Sequence, residues 1–125
     1  MKILVVDDDK TIRDIISEIL IQEGYEIDTA SDGYEAIEKF HQNPYEIVIT
    51  DIIMPGMEGI ALIEKLKAEK PDTYFIAMSG GGFAGPLFYL ESAEAFGAEE
   101  TLKKPVKPED LLEIVKHFCQ NGASF

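Results

Sequence analysis

The sequence predicts an α/β fold in which a parallel sheet is covered by helices on both faces. Short apolar strands alternate with helical stripes from end to end, the pattern that feeds a parallel sheet through crossover helices. The stretch 74–78 is almost wholly apolar, as burial on both faces requires. Two apolar runs, 2–6 and 45–50, lead straight into aspartates, Asp7, Asp8 and Asp9 in one case and Asp51 in the other. Parallel strands carry their ligand chemistry at their carboxyl ends. Acids distant in the chain are therefore expected to share one small volume.

The elements follow in order. A strand over 2–6 is succeeded by a helix over 11–23, where Ile12, Ile15, Ile16, Ile19 and Leu20 form one apolar stripe at helical spacing. Asp9 suits the cap of that helix and Gly24 its stop. A short alternating strand is expected over 25–30. Asp32 and Gly33 open a helix reaching about Gln42, with Ala36, Ile37 and Phe40 facing inward. Asn43 and Pro44 end it, and the strand to Asp51 follows. The third helix spans 58–70 with Ile60, Leu62, Ile63 and Leu66 inside, closed by Pro71 and Asp72. After the strand over 74–78 and the glycines 80–82, a helix is expected from Pro86 to Gly97. A polar strand over 100–103 reads as a sheet edge. The last helix runs from Pro108 to Phe118, with Leu111, Ile114, Val115 and Phe118 on one stripe.

The 125 residues, 46% of them hydrophobic, suit one domain spanning 1–125. With 11 Lys and Arg against 24 Asp and Glu, the formal charge is −13. That balance argues against direct binding of nucleic acid or of an anionic membrane, both of which need a basic face. Cys119 cannot form an internal disulfide and reads as a small hydrophobe on the last helix. No segment has the apolar length of a membrane span. Met1 is followed at once by a core strand, which leaves no room for a signal peptide, so a cytoplasmic location is expected.

At the strand ends, Asp7 and Asp8 follow the first strand, Asp51 the third, Ser79 the fourth, and Lys103, Lys104 and Pro105 the fifth. Clustered carboxylates call for a hard cation such as magnesium, calcium or manganese. A hydroxyl and an ammonium beside them suit anionic oxygens. Together they describe a site for a phosphoryl group and its metal.

Four stretches carry a resemblance that covers essentially the whole chain: Val5 through Asp9, Thr50 through Gly59 (TDIIMPGMEG), Met78-Ser79-Gly80 and Lys103-Lys104-Pro105, with Gly97-Ala98 ahead of the last strand. In this ordered set the chain resembles the receiver domain of two-component response regulators. The resemblance implies a doubly wound, flavodoxin-like sheet of order 2-1-3-4-5 with five helices. It implies that Asp51 accepts a phosphoryl group from a phosphohistidine on a histidine kinase or a histidine phosphotransfer protein. Mg²⁺ would be held by Asp8 directly, by Asp7 through water, by an Asp51 oxygen and by the backbone carbonyl of Ile53. Lys104 would pair with a phosphoryl oxygen and Ser79 would donate its hydroxyl to another. Pro105 matches a position that makes a cis peptide.

The family usually has an aromatic residue three positions before the site lysine, where this chain has Thr101. Phe83 or Phe88 is the candidate replacement, with plain loop or helix packing as the alternative for each. Ile53 and Gly81, two residues past Asp51 and Ser79, lie where the resemblance places control over water reaching the acyl phosphate. Neither side chain hydrogen-bonds water, so slow self-dephosphorylation is expected. The chain ends soon after the last helix, so output is expected to pass to an unidentified downstream protein. The face for it is the helix over 86–97, the fifth strand and the last helix. Phe88, Tyr89 and Leu90 cannot all face inward at consecutive positions.

Three competing readings are weaker. A Mg²⁺-dependent small-molecule phosphatase or phosphotransferase would also use an aspartyl phosphate. It usually needs a second acid where Ile53 stands, and a cap for which there is no length. An inert receiver-like module is opposed by the complete Asp8, Asp51, Ser79 and Lys104 set. The run 80–85 also spells GxGxxG, but lysines end the next strand where an acid is needed.

Overall fold

A computed structural model describes residues 1–53, 57, 59–80 and 97–122. In chain order the described elements are β1 (Lys2–Val6), α1 (Lys10–Gln22), β2 (Glu26–Ala30), α2 (Gly33–Gln42), β3 (Ile47–Asp51), α3 (Gly59–Glu69), β4 (Tyr74–Ser79), β5 (Glu100–Lys103) and α4 (Pro108–His117). A single π-helical turn, Phe118–Gly122, closes the described chain. The helix expected over 86–97 lies outside the described residues, as do Gly81, Phe83, Phe88, Tyr89 and Leu90.

All five strands form one parallel sheet of order β2-β1-β3-β4-β5. The polar strand β5 is an edge, as its composition predicts. Side chains alternate across a strand, and the sheet divides its apolar residues accordingly. Leu4, Val6 and Val48 face α2 and α3, where Phe40, Leu62, Ile63 and Leu66 complete one core layer. Ile3, Val5, Ile47 and Ile49 face the other way, onto Ile16 and Leu20 of α1 and Leu111 and Val115 of α4. Both faces of β1 and β3 are thus buried, which is why these strands read as unbroken apolar runs.

The helix ends are held by the expected residues. The Asp9 side chain accepts from Thr11 N at the start of α1. Asp32 accepts from Glu35 N, and Glu35 in turn accepts from Ser31 N, a reciprocal cap of α2. Gly24 stops α1 in the left-handed conformation, with φ of 91°. Ile15 departs from the expected stripe. It is 48% exposed, because the buried line of α1 is narrowed to Ile16 and Leu20 with Ile12 and Ile19 half-buried beside them. Tyr45 is buried, but β3 pairs only from Ile47, and Cys119 is half-buried in the π turn just past α4.

Candidate functional site

β1, β3 and β4 lie side by side and end at the same level, so their following residues converge. Asp7 and Asp51 are buried, and Asp8 is exposed at the rim. One carboxylate oxygen from each of Asp7, Asp8 and Asp51 lies within 4.8 Å of the others. Asp7 N continues the ladder by donating to Ala30 O at 3.2 Å, and Asp7 Oδ1 accepts from Asp9 N at 2.9 Å. The turn carrying Asp7 and Asp8 is therefore pinned on both sides.

β5 delivers the cation. Ser79 pairs with Lys103 in the β4–β5 register, and Lys104 N donates to Ser79 O at 3.0 Å. The Lys104 side chain turns toward the acids, where Nζ stands 2.8 Å from Asp7 Oδ2 and 3.2 Å from Asp51 Oδ2. Gly80 permits this path, since a Cβ there would come 2.9 Å from Lys104 Cβ. Lys103 is exposed, so of the two adjacent lysines it is Lys104 that enters the site. The Lys104–Pro105 peptide is cis. Ser79 is buried at the end of β4 beside these groups.

Burial and neighbouring charges shift both Asp51 and Lys104. Burial pushes the Asp51 carboxyl above its ordinary value. Lys104 pulls it back, and the charge of Asp7 pushes it up again, with a net upward shift. Burial lowers Lys104, but its contact with Asp7 and the charges of Asp51 and Asp7 outweigh that and hold it above the ordinary lysine value. The fully buried Asp7 Oδ2 is paired with Lys104 Nζ and, among the described residues, meets no partner in ordinary hydrogen-bond geometry. A buried carboxylate oxygen left in that state, in a set made of hard oxygen donors, fits a divalent cation.

Three contributors escaped the sequence reading. Arg13 Nη1 donates to Asp7 O at 2.7 Å, yet in the sequence it is one charge on a helix with no motif around it. Gly59 packs against the backbone of Asp51, where a Cβ would meet Asp51 O at 2.0 Å. Thr50 Oγ1 donates to the same carbonyl at 2.9 Å. Thr50 and Gly59 both sit inside a quoted motif and were legible as letters of it, while their contacts were not. Thr101 pairs with Ala77 on the edge strand and leaves the usual aromatic position without a ring.

The model of the response regulator receiver domain family matches residues 3–116. The uncharacterized transcriptional regulatory protein YesN of Bacillus subtilis is 38% identical over 121 residues, covering 94% of this chain and 32% of its own length. The regulatory protein VanRB of Enterococcus faecalis is 34% identical over 124 residues, 99% of this chain and 54% of its own. The chain thus spans between 32% and 54% of the length of these curated relatives. Among solved structures, the Vibrio cholerae chemotaxis protein CheY4 superposes with a TM-score of 0.83 at 31% identity, covering 93% of this chain and 96% of that one. The receiver domain of NtrX from Brucella abortus gives 0.88 at 31% identity, with 95% and 98% covered. Fold, strand order and family model agree, and the chain belongs to the response regulator receiver domain family of two-component systems.

Proposed function

We propose that Asp51 is the phosphoacceptor of this receiver domain and that the region 1–125 acts as one signalling unit. The observation that carries the reading is the pairing of Lys104 with both Asp7 and Asp51 inside a carboxylate triad. An Asp51 oxygen attacks the phosphorus of a phosphohistidine on a histidine kinase or histidine phosphotransfer protein. The P–N bond breaks, its electron pair stays on the imidazole nitrogen, which takes a proton, and an acyl phosphate forms on Asp51. Lys104 pairs with a phosphoryl oxygen and Ser79 donates its hydroxyl to another. Asp7, Asp8, Asp51 and the carbonyl of Ile53 would hold Mg²⁺. When bound, the ion supplies positive charge that offsets repulsion between the carboxylates and the incoming oxygens.

The chain's chemistry on this reading is confined to its own phosphoryl uptake and loss. Small-molecule phosphatase chemistry is not favoured. No helix among the described residues is long and apolar enough to cross a membrane. The reading places the domain in the cytoplasm with its kinase. The downstream protein would dock on β5, α4 and the stretch 86–97 that the sequence predicts as a helix. The relative YesN is named a transcriptional regulatory protein, and DNA contact in such a longer protein would fall to parts beyond the receiver.

The test is incubation with Mg²⁺ and acetyl phosphate followed by intact-mass measurement, where acetate replaces imidazole as the leaving group. One phosphoryl adduct, absent from Asp51→Asn and without Mg²⁺, is expected. An adduct that persists in Asp51→Asn would remove Asp51 from this role.

A further inference from the structure

We propose that Arg13 is a positioning residue for the acid turn, and that it raises divalent-cation affinity although its charge opposes a cation. The proposal rests on the reading that the Asp7, Asp8 and Asp51 triad takes Mg²⁺. Asp8 sits between two residues that are tied to one another and to α1. Asp9 N donates to Asp7 Oδ1 at 2.9 Å, Arg13 N donates to Asp9 O at 3.1 Å, and Arg13 Nη1 donates to Asp7 O at 2.7 Å. These three bonds form a closed loop around the Asp8 backbone. The bond from Arg13 Nη1 is the one whose donor is a side chain. The Asp7 carbonyl lies past the last β1–β2 ladder pair, Val6 with Ala30, so the sheet does not itself hold it.

Arg13 is half-buried and its guanidinium offers a fixed fork of donors to a backbone carbonyl. Groups that orient a ligand through one intervening contact commonly control metal affinity. Without this bond the loop opens at the Asp7 carbonyl, and the exposed Asp8 carboxylate is held less firmly in line with the two buried ones. Two opposite effects then separate cleanly. Removing a positive charge near three carboxylates should tighten a divalent cation. Removing the bond that shapes the turn should weaken it.

The experiment is calorimetric titration of Mg²⁺ into the full chain, as wild type, Arg13→Met, Arg13→Lys and Lys10→Met, with thermal unfolding in EDTA alongside. Lys10 is an exposed charge paired with Asp14 one helical turn on, so its loss tests charge alone. Lys10→Met should bind Mg²⁺ as tightly as wild type or more tightly. Arg13→Met should bind about tenfold more weakly, at the lower end of the range for such orienting residues. Arg13→Lys keeps the charge but not the fork and should lose about threefold. Its unfolding in EDTA should match wild type. Wild-type or tighter binding by Arg13→Met overturns the proposal. If Arg13→Met does not fold, Arg13→Lys decides, and wild-type affinity there overturns it equally. A wild-type protein that takes no Mg²⁺ overturns the site reading as well, whereas binding unchanged by the Arg13 variants overturns the role of Arg13 alone.

Discussion

Lys104 Nζ stands closer to Asp7 Oδ2, at 2.8 Å, than to Asp51 Oδ2, at 3.2 Å. The ammonium therefore bridges the two carboxylates and offsets part of their charge, lying nearer the fully buried Asp7. Two buried carboxylates this close repel one another, and an internal cation between them lessens that repulsion. The same position competes with a divalent cation for the same oxygens. Lys104→Met should consequently tighten Mg²⁺ by roughly fivefold, about 1 kcal/mol for a half-buried charge. It should also lower the unfolding temperature in EDTA, with Mg²⁺ restoring much of the loss. Calorimetry and melting with and without Mg²⁺ read both effects. Weaker Mg²⁺ binding in Lys104→Met would show that lysine and metal do not share the acids.

How far the site could be read from the sequence differs residue by residue. Asp7, Asp51 and Ser79 were legible because each follows an apolar strand, and strand ends are where a parallel sheet gathers its chemistry. The strand order came from the resemblance, since alternation alone fixes a parallel sheet but not its sequence of neighbours. Helix α1 begins at Lys10 because its cap is Asp9, so the apolar stripe that marks the helix starts two residues inside it. Ile15 shows the limit of periodicity. Its spacing fits the stripe, but how wide a line is buried depends on what packs against the helix, here β1 and α4. Arg13 and the preference of Lys104 for Asp7 were illegible because both depend on where backbone atoms meet across turns. No residue pattern encodes that.

Gly59 is required for a contact rather than for flexibility. A methyl group there would lie 2.0 Å from Asp51 O and 2.8 Å from Ile52 Cα, both backbone atoms that cannot swing aside. Gly59→Ala should therefore cost about 3 kcal/mol, the upper end of overpacking. That corresponds to a fall in melting temperature on the order of 10 °C. Because the displaced atoms belong to Asp51, phosphoryl uptake should fall even at temperatures where the variant is folded. A folded Gly59→Ala with wild-type uptake would show that the β3 end absorbs the shift without moving its carboxylate.

The edge strand β2 carries a pH-dependent tether. Tyr45 OH donates to Asp28 Oδ2 at 2.6 Å, and Lys2 Nζ lies 3.5 Å from the same oxygen. The tyrosine hydrogen bond, opposed by burial and helped by Lys2, holds Asp28 below the usual carboxylate range. A depressed folded value stabilises the protein above the unfolded value of about 4. The contribution disappears as pH falls through the folded value. The side chain of Asp28 is 36% exposed, so solvent screening holds the effect to about 1 kcal/mol. Tyr45→Phe should lose that amount at pH 7 in urea unfolding, and the gap to wild type should shrink at pH 3. An unchanged gap would mean that lost packing, not the carboxylate, accounts for the difference.

The lifetime of the phosphorylated state should depend on Ile53. Its side chain is 44% exposed immediately beyond β3, two residues past Asp51, while its backbone N–H donates to the Asp51 carboxylate. An aliphatic side chain at that point covers the approach to the acyl phosphate and offers an attacking water no hydrogen bond. An amide there would hold such a water near the phosphorus, and positioning alone lowers a hydrolytic barrier. Ile53→Asn should release phosphate several-fold to about tenfold faster, equivalent to at most about 1.4 kcal/mol. Ile53→Leu, which keeps the cover, should match wild type. Phosphate release timed from the purified phosphoprotein measures both. If Asn and Leu variants decay at the wild-type rate, the side chain does not control water, and Ile53 would act through its backbone alone.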